Sequence, residues 1–189
     1  MKVTKAQATE NREAILRAAA EQIRLRGFDQ MSVAEVARAA SLSHGALYSH
    51  FKSKEVLQAE ATRHSFDDTI STFTGLSPDA FVQTYFSVDH RNHPELGCPN
   101  AALVSEIWRQ PPATQQAFRA GIERFVELVS ETLTGSDGQE NRDRAVLLFA
   151  AMVGGMALSR AVSQVDQAFA DDILRAVSSQ MAGLIDPAG

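Results

Sequence analysis

Apolar residues recur every three or four positions along nearly the whole sequence, and this spacing restricts the fold to packed helices. A clear example is the stripe of Val33, Val36, Ala37 and Ala40. No stretch of useful length alternates between apolar and polar residues as a half-buried strand would, and no internal repeat is visible. The pattern predicts an all-α protein with about nine helices.

Capping and turn residues predict where these helices begin and end. We expect a first helix over 6–26 that ends at Gly27, a second that starts after Ser32, and a third from His44 to His50. Further helices are expected after Ser53, after Ser77, from Cys98 to before Pro111, around Phe118 to Val129, and over about 141–164 and 167–184. Residues 88–97 and 135–138 are predicted to be loops.

Charge is distributed unevenly between the two parts of the chain. The net charge is −5, yet the 56 residues at the start carry an excess of Lys and Arg, and every lysine lies at or before Lys54. The remaining chain is strongly acidic. A basic head on an acidic body indicates that the head meets a polyanion such as a nucleic acid.

The second and third predicted helices are both short and are separated only by Ser41-Leu42-Ser43, which is the arrangement of a helix-turn-helix. Its apolar residues would face inward: Val36, Ala37, Leu42, Leu47 and Phe51. The outer face of the third helix would then be small and polar, as entry into a major groove requires, and it consists of Ser43, His44, Gly45, Tyr48, Ser49 and His50. Tyr48 can donate its hydroxyl to a phosphate, and Lys54 begins the next helix, where an anion is favoured. The alternative is a helical corner with a purely structural role.

This segment resembles the DNA-binding region of the tetracycline-repressor (TetR) family in Ala37, Leu47-Tyr48, His50-Phe51 and Lys54-Glu55. The resemblance implies a DNA-binding domain over 1–56, and over 57–189 a domain that dimerises and binds a small effector. It implies a homodimeric regulator, usually a repressor, on palindromic double-stranded DNA. It also implies phosphate contacts by Ser32, Ser43, Tyr48, His50 and Lys54, and contacts to base edges by His44 and Gly45. Ser41 departs from the family's usual glycine, and a left-handed backbone there would cost on the order of 1 kcal/mol.

The stretch from Ala145 to Ser159 contains no charge and is apolar on all sides, so a helix made from it must be covered on nearly every face. Gly154 and Gly155 would allow another helix or a ligand to approach closely. We expect this helix and the last one to pair with their dimer mates as a four-helix bundle. The last helix offers Phe169, Ile173, Leu174, Val177, Met181 and Leu184. The alternative is a core helix of a monomer.

A ligand cavity is expected among apolar and aromatic residues in the middle of the chain. The candidate lining residues are Phe81, Tyr85, Leu103, Ile107, Trp108, Phe118, Phe125 and Met152. Trp108 and Tyr85 are favoured because each also has a polar group. The alternative for any of these residues is ordinary core packing.

Cys98 is the one cysteine, and it precedes Pro99 at a predicted helix start, where the thiolate form is favoured. A partly exposed thiolate there would make the protein a sensor of oxidants or electrophiles, which is the alternative to a small apolar or amphipathic effector. The other interpretation is a buried, inert cysteine. A metal site of Asp89, His90, His93 and Cys98 matches no standard spacing, so we predict neither a metal nor a cofactor.

Several classes of protein are disfavoured by the same sequence. A lone cysteine excludes a disulfide framework within the chain. Residues 1–26 lack the apolar run of a secretory signal, and the uncharged stretch of 15 residues is short for a bilayer span, so we expect a cytoplasmic protein with no membrane partner. Common hydrolase and nucleotide-binding motifs are missing, so no enzyme is predicted. An all-α enzyme or ligand carrier that does not bind DNA remains the third option.

Overall fold

A computed structural model of the protein describes residues 4–133 and 138–185, and of residues 182–185 only the backbone. These residues form ten α-helices and one 3-10 turn, with no strand among them, so the all-α prediction is confirmed. The helices are α1 Lys5–Gln30, α2 Val33–Ala39, α3 His44–His50, α4 Lys54–Phe73, α5 Pro78–Tyr85, α6 Val88–Asn92, α7 Pro99–Leu103, α8 Pro112–Glu131, α9 Gly138–Val162 and α10 Gln167–Ile185, with the 3-10 turn at Ile107–Arg109.

Serine hydroxyls begin four of the helices where the sequence predicts them. The Oγ atoms of Ser32, Ser43, Ser53 and Ser77 each accept the backbone N–H three residues later, at 3.1 to 3.3 Å. Each bond satisfies one of the N–H groups that a helix start leaves without a partner, and such a cap is worth about 1 kcal/mol. The short helices α2 and α3 therefore have defined starts.

The first helix breaks at Gly27, where the sequence predicts its end: this residue takes a φ of 82°, and a short further helical stretch continues to Gln30. Two other predicted boundaries are wrong. The predicted loop over 88–97 contains α6, whose start is capped by Ser87, so the expected nine helices become ten in the described residues. The helix expected from Cys98 to before Pro111 ends at Leu103, and only a 3-10 turn follows. The predicted loop at 135–138 lies outside the described residues except for Gly138.

Two apolar clusters make up the core, and α4 contributes to both. The first cluster joins α1, α2 and α3 with the first part of α4, and it also takes in Leu103 and Phe118 from the body. The second cluster lies among α5, α8, α9 and α10 around Phe73 and Phe125. Helix α4 runs through the expected domain boundary at residue 56 without a break. The three-helix head is therefore connected to the body by a continuous helix and by shared packing.

Helix α9 packs along α10 and α8. It is long and apolar enough to cross a membrane, with a mean hydropathy of 1.9 over 18 residues, a property that the core helices of soluble proteins share. Its buried side faces the second apolar cluster, and a Cβ at Gly155 would lie 3.0 Å from Val177 of α10. Gly154 has no such neighbour. The close approach of α10 to α9 in the same chain thus explains the glycine at position 155, as expected.

Candidate nucleic-acid interface and effector sites

The turn between α2 and α3 is held by backbone hydrogen bonds. The Leu42 N–H donates to the Ala37 carbonyl at 2.8 Å, and the Ser41 N–H donates to the Arg38 carbonyl at 3.0 Å. Ser41 has a φ of 57°, the left-handed conformation for which glycine is the usual residue. The turn therefore keeps its expected backbone and bears the strain of a side chain at this position.

One side of α3 is buried and the other is open, as the sequence predicts. Leu47 is fully buried, together with Phe51, Val36 and Ala37. The exposed side carries Ser43, His44, Gly45, Tyr48 and Ser49, while His50 is half-buried at the helix end. The His44 and Tyr48 rings meet edge to face at 5.0 Å. A Cβ at Gly45 would meet nothing within 4 Å, so the protein itself gives no reason for a glycine there.

The residues expected to contact phosphates surround this face. Ser32 and Ser43 cap α2 and α3, and because each hydroxyl oxygen accepts the capping bond, its hydrogen remains available to a phosphate. Lys54 lies at the start of α4, with Nζ 3.3 Å from the Asp29 carbonyl oxygen. Lys52 beside it is exposed. The head therefore presents a small polar helix face flanked by lysines.

The eight residues expected to line one effector cavity lie in different places. Phe81, Tyr85, Phe125 and Met152 are buried together in the second apolar cluster. Leu103 and Phe118 are buried in the first cluster, and Ile107 packs against it. Trp108 belongs to the 3-10 turn, which directs its side chain away from the core. It is therefore 68% exposed, and its indole N–H donates to the Ser105 carbonyl.

A cavity of about 150 Å³ opens elsewhere, between α4, α5 and the segment from Asp89 to Cys98. Its walls include Thr69, Phe73, His90, Leu96 and Cys98, and none of the eight expected residues. Phe73 forms the connection to them, because its ring packs against Phe81 at 4.8 Å and against Tyr85 at 5.9 Å. An apolar body entering this cavity would displace Phe73 toward the aromatic cluster.

Cys98 occupies the predicted N-cap of α7, and its side chain is fully buried, which favours the interpretation of a buried cysteine over that of a partly exposed thiolate. Cys98 packs in the second apolar cluster, and the Asn100 side-chain amide donates to Sγ at 3.5 Å. Burial raises the pKa of the adjacent Tyr85 hydroxyl well above its usual value, and the Cys98 thiol contributes to that rise. Cys98 is one of the residues in the wall of the 150 Å³ cavity.

His90 connects α5 to the start of α7. Its Nε2 atom accepts the Cys98 N–H at 2.9 Å, and its Nδ1 atom lies 2.5 Å from the Tyr85 carbonyl oxygen. These contacts require the neutral ring with its proton on Nδ1, which donates to that carbonyl. Burial, followed by the Arg160 charge, lowers the His90 pKa to about 4 against the opposing effects of Tyr85 and Asp89. No group of three potential metal-ligating residues occurs within residues 4–133 and 138–185.

Three arginines that the sequence offers no reason to group lie close together: Arg24 and Arg91 are buried, and Arg160 is half-buried. They lie where α1, α6 and the end of α9 come together. Burial lowers the pKa of Arg24 and of Arg160. The signal in the sequence was Arg160 at the end of the long apolar run, since a cation there must find acceptors within the fold.

Comparison with known proteins agrees with this geometry. Residues 15–61 match the family model described as bacterial regulatory proteins, tetR family. The HTH-type transcriptional repressor BepR of Brucella suis biovar 1 (strain 1330) is 42% identical over 67 residues, which are 35% of this chain and 32% of BepR. The chain thus matches only about a third of that relative's length.

Solved structures share the whole architecture. E. coli NemR in its reduced form has a TM-score of 0.75 at 17% identity, over 95% of this chain and 99% of NemR. FadR of Bacillus subtilis in complex with stearoyl-CoA has a TM-score of 0.64 at 16% identity, over 94% of this chain and 99% of FadR. At such identities the likeness shows the fold alone.

Proposed function

We propose that the protein is a dimeric repressor of the tetR family, whose family model matches residues 15–61, and that its operator DNA is released when a small molecule binds the helical body. The observation that carries this proposal is the exposed side of α3. This side is small and polar, and lysines flank it. The opposite side of α3 is fixed in the core by the buried Leu47. No catalytic step is part of this function.

The residues of the head divide into two roles on DNA. His44 and Gly45 lie in the first turn of α3, where an inserted helix reads base edges, and the bare Gly45 surface permits close approach. Ser32, Ser43, Tyr48, His50 and Lys54 surround that turn and would contact phosphates. Phosphate contacts fix the position of the helix and supply affinity, whereas base contacts supply specificity.

Dimerisation is proposed through α9 and α10. Their outward sides carry exposed apolar residues, among them Leu147, Leu158 and Phe169. Gly154 lies on the same side of α9 with no neighbour within 4 Å in the chain. A two-fold pairing would cover these residues and place two α3 helices about 34–36 Å apart, one turn of DNA. A palindromic operator follows from that symmetry.

The proposed effector is small and apolar or amphipathic, and it acts from the cytoplasm, where a DNA-binding regulator works. Phe81, Tyr85, Phe125 and Met152 would contact it beyond Phe73, which separates them from the 150 Å³ cavity. Such a ligand releases DNA only to the extent that it binds the released conformation more tightly. FadR, which shares the fold, is described in complex with stearoyl-CoA.

A second candidate is regulation through the Cys98 thiol, favoured by its position in the wall of that cavity. With iodoacetamide as the electrophile, the Cys98 sulfur would bond to the methylene carbon as the carbon–iodine bond breaks, with iodide and the thiol proton released to solvent, and the added acetamide group would force the cavity walls apart. Iodoacetamide would then release DNA from the wild type and not from Cys98→Ser. Equal release from both proteins would contradict this candidate and leave the non-covalent effector.

The test of the proposed function is selection of bound duplexes from a random DNA pool by the purified, reduced protein at moderate salt. We expect enrichment of a palindrome whose half-sites are one helical turn apart. Recovery of no sequence above salt-sensitive, non-specific binding would contradict the proposal.

A further inference from the structure

The buried Arg24 and Arg91 and the half-buried Arg160 have few carboxylate acceptors in direct contact. Buried guanidinium groups in proteins are normally paired with carboxylates. Only Arg91 has a carboxylate within 4 Å in the described chain, Asp171 at 2.6 Å. Arg24 Nε donates to the Glu95 carbonyl at 2.6 Å, and Arg160 donates to the carbonyls of His90 at 2.6 Å and Arg91 at 3.2 Å. Glu95, Asp68 and Glu21 act on Arg24 or Arg160 only from beyond 4 Å, so one of the three guanidinium groups has a carboxylate in direct contact.

Two guanidinium nitrogens in this cluster have no partner among the described residues. Nη2 of Arg91 and Nη1 of Arg160 are both buried and without an acceptor. An unsatisfied buried donor costs roughly 1–3 kcal/mol, and more when it is charged. Both side chains are already held by their other nitrogens, Arg91 by Asn92 and Asp171 and Arg160 by two backbone carbonyls. The unpartnered N–H groups are thus fixed in position.

Both arginines line one cavity of about 370 Å³ that opens between α1, α6 and the turn from α9 to α10. Leu25, which is 52% exposed, and Pro94 provide apolar walls, and Gln164 and Gln167 provide amide groups. Within the described chain, no Asp or Glu lines this cavity. Its chemistry is two guanidinium donors, neutral amides and an apolar wall, which suits an oxyanion on a small organic body and repels a cation.

We propose that this cavity binds the carboxylate or phosphate group of a small organic anion, held by Arg91 and Arg160. Asp171 competes with the anion for Arg91, because its carboxylate takes the Nη1 donor. Leu25 lies on α1, the helix that begins the DNA-binding head, so an anion here contacts head and body at once. Binding then favours one arrangement of the two. This regulatory consequence rests on the proposed function, whereas the binding itself does not.

The test is the thermal unfolding midpoint of the full chain in benzoate, in inorganic phosphate, and in chloride at equal ionic strength. Benzoate and phosphate distinguish the two anion classes. We expect at least one of them to raise the midpoint saturably above the chloride control. Arg160→Gln should abolish the rise, and Arg119→Gln, which removes an exposed guanidinium on α8 that is paired only with Glu123, should retain it.

Asp171→Asn provides a second variant that does not depend on the folding of Arg160→Gln. It frees an Arg91 donor, so the apparent dissociation constant should fall several-fold. Absence of any rise above chloride in the wild type, or an equal rise in Arg160→Gln, would overturn the anion site. An Asp171→Asn protein that binds more weakly than the wild type would also overturn it.

A second experiment measures operator affinity with and without the same anion. It tests the regulatory role of the anion site independently of anion binding itself. We expect the anion to change affinity in the wild type and not in Arg160→Gln. A rise in the unfolding midpoint with unchanged operator affinity would overturn the regulatory role and keep the site. Failure of the anion-free protein to bind any operator would instead overturn the proposed function.

Discussion

The Glu106 carboxylate accepts a hydrogen bond from the backbone N–H of Phe28, with 3.1 Å between Oε2 and the nitrogen. Glu106 belongs to the segment between α7 and the 3-10 turn, and Phe28 follows the break in α1 at Gly27. The N–H is available because Gly27, with a φ of 82°, interrupts the helical hydrogen bonding. This bond joins the body directly to the head. We therefore expect a displacement of the segment after α7 to change this contact with α1.

Replacement of Gly27 tests that contact. A Cβ at Gly27 would lie 2.5 Å from Glu106 Oε1, in addition to the strain of a left-handed backbone. Gly75 has a similar φ of 78° with nothing within 4 Å, so Gly75→Ala provides the matched control for backbone strain alone. We expect Gly75→Ala to lower the free energy of unfolding by about 1 kcal/mol and Gly27→Ala by more. Urea denaturation measures both, and equal losses would contradict the role of Glu106.

Gly45→Ala separates the requirements of the fold from those of DNA. Alanine meets no atom within 4 Å and favours a helix over glycine by about 1 kcal/mol, so the free energy of unfolding should rise or remain unchanged. Operator affinity should nevertheless fall, because the added methyl group occupies space that a base edge needs. Fluorescence anisotropy on a selected operator measures this. Full affinity in Gly45→Ala would show that α3 does not approach the bases there.

Lys54→Ala removes one proposed phosphate contact. Binding should weaken to a similar extent on all DNA sequences, and the slope of log affinity against log salt should fall by about one. Tyr48→Phe should weaken binding without that change in slope, because it removes a neutral donor. Arg119→Ala removes a positive charge from the body and should leave the slope unchanged. If Lys54→Ala matches the wild type in both affinity and slope, the proposed docking of the head is wrong.

The buried His90 makes stability dependent on pH. Its pKa is about 4 in the folded protein against a usual 6.5, so the unfolded chain binds more protons between these values. Stability is therefore highest above about pH 6.5 and falls as the pH decreases to about 4, by roughly 3 kcal/mol in total for a shift of this size. His90→Gln should flatten the profile of unfolding free energy in this range, and His93→Gln, at an exposed site, should not. Identical slopes for wild type and His90→Gln would contradict the neutral ring.

Local signals made much of the fold predictable. The starts at Ser32, Ser43, Ser53 and Ser77 were found because a cap and its helix lie within four residues of each other. The exposed face of α3 followed from the position of Leu47 in the same way. Helix α6 was missed because its five residues contain only one apolar side chain, Val88, and so carry no apolar stripe, and Ser87 alone marks its start.

The parts that were missed depend on contacts between distant segments. The aromatic residues of the body could not be assigned to one cavity from spacing, because Phe118 turns toward the head while Phe125 turns into the body. The unpartnered nitrogens of Arg91 and Arg160 can be recognised only in the folded structure, where α6 contacts the end of α9. Burial of Cys98 likewise depends on packing within the second apolar cluster, whose members come from helices far apart in the sequence.

Operator spacing tests the central claim most directly. The affinity of the protein for its selected palindrome is compared with its affinity for the same half-sites separated by about five additional base pairs, half a turn of DNA. A dimer that presents two α3 helices to one face of the duplex should lose most of its affinity for the lengthened operator. Equal affinity for both duplexes would contradict a two-fold repressor reading a palindrome.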